Sequence, residues 1–349
     1  MNLDQNHHYL VLVHPEWKGK IDFRPGFEPC FTELSFKSPL DFIKIHYLAR
    51  QFKAHIYFSS TFMTPLVTGT AKRVATIHDL INLNLPEYFE GYNKYYARLA
   101  KAYLRFQTWL TVRNSDELVT VSDFSRQQII HYYGIDRRKI FVVYNGVSSS
   151  LSAKPISQLT KQRFKIDGPY VLGLANFRGQ KNNTVLLKAY AVLKKNGCKE
   201  LLVLFGKYPK ESAEHMINES IGPDLAKDVR LLGPLNDDEL REIYTGASIF
   251  VFPSLAEGFG IPAVEAMACG TCVVTSSAGS LPEVCGDAAV YVNPRSPAEL
   301  AAAMHTLMED VERRSLLGKM GIQQARNYDW NDSAQRLLRI FETLWNDMY

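Results

Sequence analysis

The residues best suited to chemistry lie in one run, IFVFPSLAEGFGIPAVEAMACGTCVVTSS, residues 249–277. Glu257, Gly258, Phe259 and Gly260 follow a short apolar stretch. Pro262 stands where a first helical residue belongs, and Gly270 stands just past the end of a short helix. Two glycines at a helix start leave backbone N–H groups uncovered with the positive end of the helix dipole behind them, which suits a diphosphate. Glu265 then falls near the first turn of the helix, where a carboxylate can accept hydrogen bonds from a ribose diol. Glu257, in the loop before it, can reach hydroxyls on whatever is joined to the phosphates. Taken alone, the two glutamates read first as a solvated loop residue and a helix-start acid. The glycines, Pro262 and the preceding strand favour the chemical reading.

Such a loop needs a scaffold of parallel strands, and the chain supplies one. Short apolar runs occur at 9–13, 55–59, 73–77, 117–121 and 140–144, and again at 170–175, 201–205, 229–232, 249–253, 271–275 and 289–292. Runs of this length without a polar face fit strands covered on both sides. Helix-period segments separate them. In 184–195, Val185, Leu186, Ala189, Val192 and Leu193 share one face and Gly197 follows as a stop. Alternation of this kind predicts a doubly wound α/β architecture with ligands at the carboxyl ends of the strands. The 349 residues suffice for two domains. The joint is expected at Asn145-Gly146-Val147 and the Ser-rich stretch after it, giving domains over 1–150 and 168–329 with a cleft between them.

The 249–277 run resembles the signature of the metal-independent, retaining glycosyltransferases of family 4, which have the GT-B fold. Their Glu-x7-Glu pair in an EGFG-PxxEAMAxG context matches Glu257 to Glu265 almost letter for letter. Other segments resemble the family too: RVATIHDLINL (73–83), LVTVSDFSRQQI (118–129), VVYNGV (142–147), YVLGLANFRGQKNNTVLLKAY (170–190), VRLLGPLNDDELREIYTGASIFVFPS (229–254) and SAGSLPEVCGDAAVYVNP (277–294).

The resemblance implies two Rossmann-like domains, the C-terminal one holding a nucleotide-sugar and the N-terminal one presenting the acceptor, with a C-terminal helix at 330–349 packed back on the first domain. It implies that Glu265 binds the ribose, that Glu257 and the backbone of Gly258, Phe259, Gly260 and Ile261 contact the donor sugar and phosphates, that Arg178 and Lys181 neutralise the diphosphate, and that His78 contacts the donor sugar near the reacting centre. No Asp-x-Asp occurs in the chain, so cationic side chains and helix starts are expected to stabilise the leaving diphosphate without a metal or other cofactor. The implied activity is transfer of a hexose, mannose above others, from a GDP- or UDP-sugar to a growing glycan or lipid-linked acceptor, as in lipopolysaccharide or other polysaccharide assembly. The family's opening strand, Gly-rich loop and helix have no counterpart before residue 9. A non-catalytic nucleotide-sugar-binding protein and a nucleotide-sugar epimerase of the same fold are therefore the alternatives.

Other signals narrow the field. No run is long and apolar enough to span a membrane. Five cysteines form an odd, sparse set that suits a reducing cytoplasm, and Cys269-x-x-Cys272, without a partner pair, fits small buried apolar residues better than a metal site. Gly258-x-Gly260-x-x-Ala263 also fits a dinucleotide fingerprint, but it falls late in its domain and carries Pro262. The net charge of +4 is concentrated in the front half, and no nucleic-acid partner is expected. Lys94, Arg98, Lys101 and Arg105 make a basic stripe beside an apolar one of Tyr95, Leu99, Ala102, Phe106, Trp109 and Leu110. The favoured expectation is a core-packed helix with a solvated basic edge. The alternative is peripheral contact with an anionic membrane face or an anionic acceptor.

Overall fold

Short, mostly apolar runs of three to five residues become parallel strands. In the computed structural model, which describes residues 4, 6–33, 39–62, 70–89, 91–176 and 178–348, these are β1 (Tyr9–Val13), β2 (Phe27–Phe31), β3 (Ile56–Ser59), β4 (Lys72–Thr76), β5 (Glu117–Thr120), β6 (Ile140–Val142), β7 (Tyr170–Leu174), β8 (Leu201–Phe205), β9 (Val229–Leu232), β10 (Ile249–Phe252), β11 (Val273–Ser276) and β12 (Ala289–Val292). β3-β4-β5-β6 form one parallel sheet, β1 and β2 a separate parallel pair, and the C-terminal strands a parallel sheet in the order β12-β11-β10-β7-β8-β9. In that last sheet, strand order reverses between β7 and β10, the first and fourth strands of their domain. The loops leaving these two neighbours diverge and open a crevice at their carboxyl ends.

The C-terminal sheet is buried on both faces. Phe250, Phe252, Tyr170 and Tyr244 pack on one side, and Val171, Leu202, Val251 and Tyr190 on the other. The smaller core of the N-terminal domain gathers Ala75, Ile77, Leu118, Ile129 and Ile140. The chain crosses between domains twice, side by side: the Val147 N–H donates to Tyr328 O at 2.9 Å, and a Cβ on Gly146 would meet the Trp330 ring at 2.6 Å. After the second crossing, the helix Trp330–Asn346 lies on the N-terminal sheet. Ile340 and Leu344 are buried with Val74 and Val119, and Phe341 meets the Phe58 ring edge-on at 5.5 Å.

Several local expectations change. β2 was not anticipated because it contains Pro29. A proline is tolerated there because, among the described residues, β2 pairs only with β1, at the edge of a two-stranded sheet. β11 starts at Val273 and not Thr271, because Thr271 closes the preceding helix: its N–H donates to Ala266 O and its hydroxyl to Tyr244 O at 2.6 Å. The helix Asn183–Lys195 buries Leu186, Leu187, Tyr190 and Leu193 and leaves Val192 exposed, so its inward face is rotated from the one periodicity suggested. Cys269 and Cys272 are buried, free and apolar in setting. The helix Lys94–Asn114 reverses its expected orientation. Thr108, Thr111 and Val112 face the protein, the Thr111 hydroxyl donating to Phe62 O, while Tyr95, Leu99, Phe106 and Trp109 stand in solvent.

Candidate active site

Four strand ends converge on the crevice. β4 leads through Ile77 to His78 and Asp79. β5 leads to Ser122, whose hydroxyl caps the helix Asp123–Tyr133 by accepting from Ser125 N–H. β7 leads to a single turn, Gly179–Lys181, and β10 to the loop bearing Glu257. The last two loops are stitched together. Leu255 N–H donates to Gln180 O at 2.8 Å, and the Asn182 amide donates to Pro253 O and Pro294 O at 2.9 and 2.6 Å. Asn182 takes a positive φ, a conformation that asparagine tolerates, and so turns the chain into the helix Asn183–Lys195.

This stitching brings Lys181 Nζ to 2.6 Å from Glu257 Oε1, both side chains nearly buried, with the ammonium over the Phe252 ring at 5.0 Å. Glu257 is 7% exposed. Its backbone carbonyl accepts from both the N–H and the hydroxyl of Ser280, and Gly279, at positive φ, lies so close that a Cβ there would meet Glu257 O at 2.6 Å. Gly260 adopts φ 99° and starts the helix Ile261–Ala268, whose first turn has no side-chain cap. Pro262 has no N–H and the Ala263 N–H turns back to Gly260 O at 2.9 Å, so what the helix start can offer an anion is the loop backbone up to Ile261. Glu265 lies one turn further in, where its Oε2 accepts from the Tyr244 hydroxyl at 3.1 Å. Burial raises its carboxyl above the ordinary value, and the Tyr244 hydrogen bond draws it back.

The other residues singled out from the sequence divide. His78 is exposed at the crevice, its Nε2–H donating to Ser60 O at 3.0 Å. Arg178 is exposed on the loop, apart from the Lys181–Glu257 pair, and its backbone N–H donates to Asn176 Oδ1. The Phe259 side chain belongs to the core, edge-on to Tyr328 at 5.2 Å, which leaves only its backbone to face a ligand. Ile261 is partly exposed at the helix start.

Sequence reasoning missed the residues that hold the two domains against each other. Asp79 sits against Gly258, where a Cβ would meet its Oδ2 at 2.8 Å. Burial raises the Asp79 carboxyl, and the Ile81 amide, His78 and Lys181 draw it back. Ser122 donates its hydroxyl to Gly258 O at 2.7 Å across the boundary. Glu283 of the C-terminal domain accepts from Asp123 N–H (2.7 Å), Phe124 N–H (2.9 Å) and the Tyr144 hydroxyl (3.0 Å), so its carboxylate caps a helix of the other domain. Buried beside that carboxylate, the Tyr144 hydroxyl is pushed up to about 12. The His-Asp pair at the end of β4 was a local signal for Asp79, whereas nothing near Glu283 marks a partner so distant in sequence. Glu283→Ala removes a charged cap that contributes about 1–2 kcal/mol. Limited proteolysis of the crossing segment after Val147 should then be several-fold faster, with little change in the unfolding of either domain; unchanged cleavage would show that the cap does not hold the domains together.

The comparisons with known proteins bear on the family and the fold. "Glycosyltransferase Family 4" matches residues 2–151 and "Glycosyl transferases group 1" matches residues 157–324. The chain is 28% identical over 301 residues to O-antigen chain mannosyltransferase B of Escherichia coli, covering 84% of this chain and 76% of that one. It is 32% identical over 245 residues to D-inositol 3-phosphate glycosyltransferase of Corynebacterium kroppenstedtii, covering 66% of this chain but only 54% of that one. Among solved structures, Anabaena HepE in complex with UDP-glucose superposes with a TM-score of 0.71 at 20% identity, over 92% of this chain and 86% of that one. With both halves matched and the two Rossmann-like domains of the GT-B fold in place, the chain belongs to the family 4, group 1 glycosyltransferases.

Proposed function

We propose that this glycosyltransferase moves a hexose, mannose above others, from a GDP- or UDP-sugar to a growing glycan or lipid-linked acceptor, with retention at the anomeric carbon and without a metal. The observation that carries the reading is the Lys181–Glu257 pair at the switch point between β7 and β10, beside the uncapped start of the helix Ile261–Ala268. The mannosyltransferase relative favours mannose, and the UDP-glucose held by HepE supports a nucleotide-sugar donor. An incoming diphosphate carries more charge than one carboxylate and draws Lys181 Nζ onto itself, with Arg178 as a second cation at the mouth. Glu257, released from its ion pair, then accepts from hydroxyls of the donor sugar. Glu265 accepts from the ribose diol, and His78 holds the sugar from the opposite domain. The bond between the anomeric carbon and the phosphate oxygen breaks, and the negative charge left on the diphosphate meets Lys181 and the loop backbone at the start of the helix Ile261–Ala268. The acceptor hydroxyl attacks the same face, its proton passing to the departing diphosphate oxygen, so configuration is retained. The reaction takes place at a cytoplasmic membrane face, where such acceptors are built.

The assay is nucleoside diphosphate release from a panel of GDP- and UDP-sugars in EDTA, with and without acceptor extract. Acceptor-stimulated release in EDTA is expected. A strict manganese requirement, binding without turnover, or sugar isomerisation without transfer would each contradict the reading. Glu265→Ala removes hydrogen bonds to a charged acceptor, each contributing about 1.5–3 kcal/mol, so donor affinity should fall about 10- to 100-fold. Unchanged affinity would remove Glu265 from the ribose.

A further inference from the structure

The helix Lys94–Asn114 exposes most of its large apolar side chains. Its inward face is narrow, with Thr108, Thr111 and Val112 buried and Leu104 packed on the core, while most of its bulky side chains point outward: Tyr95 is 68% exposed, Leu99 72% and Phe106 54%. Tyr92, Tyr96, Tyr103 and Trp109 extend the same surface. The rings organise among themselves, Tyr92 stacking on Tyr96 at 5.5 Å and Phe106 on Trp109 at 6.1 Å. At 1.5 Å of rise per residue, the stripe from Tyr92 to Trp109 runs roughly 25 Å. Exposed apolar surface of this extent on one element marks something that covers it.

Charge selects the occupant. Lys94, Arg98, Lys101 and Arg105 are all exposed, and their spacing aligns them along one edge of the aromatic stripe. No acidic residue lies on this helix. A second copy of the chain docked helix to helix would set two cationic edges together, and a neutral apolar partner would leave the cations unused. An anionic bilayer surface uses both. Tyrosine and tryptophan suit the boundary between acyl chains and headgroups, and a parallel row of cations meets the anionic headgroups.

We propose that the face of the helix Lys94–Asn114 bearing Tyr95, Leu99, Phe106 and Trp109, edged by Lys94, Arg98, Lys101 and Arg105, is a docking surface for an anionic lipid bilayer. The helix lies flat with its aromatic stripe at headgroup depth. Its protein side packs on the short helix Ile81–Asn84, which follows His78, so the membrane holds the N-terminal half of the crevice. This surface is distinct from the donor site and stands or falls independently of the donor reading.

The test is sedimentation of the purified full chain with phosphatidylcholine vesicles and with vesicles containing phosphatidylglycerol, together with its mass in solution. The chain should bind the anionic vesicles at least about tenfold more tightly than the neutral ones, and salt should weaken that binding. The double variant Leu99→Glu, Phe106→Glu should lose binding to both. Neutralising all four basic residues to glutamine should abolish the anionic preference while leaving the unfolding temperature unchanged. Donor hydrolysis in solution should be unaffected in either variant. Equal binding to neutral and anionic vesicles, vesicle binding that survives both variants, or a dimer that Leu99→Glu dissociates without any vesicle binding would overturn the proposal.

Discussion

Lys181→Met should lower turnover about 10²- to 10³-fold, the loss seen when one preorganised group facing developing negative charge is removed. The nearly buried ammonium is the cation placed between the diverging loops of β7 and β10. The same substitution leaves Glu257 as an unpaired carboxylate in a nearly closed setting, and breaking a buried pair from one side costs about 3–5 kcal/mol. The two effects separate in the double variant Lys181→Met, Glu257→Gln. It should recover most of the lost thermal stability, because a neutral amide needs no counter-ion, while turnover stays low. Recovery of turnover along with stability would mean that Lys181 serves the fold and not the reaction.

Gly258→Ala should cost about 10²-fold in turnover with a much smaller effect on nucleoside diphosphate binding. A methyl group there would meet Asp79 Cβ and Oδ2 at 2.8 Å and His78 O at 3.0 Å, closer than carbon packs against such atoms. The clash lies across the domain boundary, so it is relieved by moving His78 and its strand end away from the donor loop. A displacement near 1 Å between reacting groups is enough for a loss of that size. Steady-state kinetics with a titration of the free nucleoside diphosphate would show the split. Equal losses in binding and turnover would place the damage within the donor loop itself.

The contrast between Gly258 and Glu283 shows how far the amino-acid sequence reaches. The donor loop was legible because its determinants are local: two glycines, Pro262 and a glutamate pair at fixed spacing compel one backbone path and one side-chain layout. The parallel strands were legible for the same reason, since short, mostly apolar runs between helix-period segments permit little else. The grip of the domains on each other was not legible. Glu283 caps a helix that begins at Asp123, and Asp79 meets Gly258 far along the chain, so neither pairing leaves a trace in local pattern. The helix Lys94–Asn114 shows a third case. Its two stripes were visible, but amphipathicity says only that an apolar face will be covered and not by what. In this fold the protein takes the face of Thr108 and Thr111 and leaves the aromatics outside.

The most direct test of the donor site is titration of GDP and UDP, and of the corresponding nucleosides, into the wild-type chain and Lys181→Met in the presence of EDTA. A diphosphate held by Lys181 and the helix start near Gly260 predicts that the preferred nucleotide binds without metal. The variant should then weaken the diphosphate at least about tenfold and leave the nucleoside unchanged. Equal affinities of wild type and variant for the diphosphate, or binding that begins only when a divalent cation is added, would contradict it.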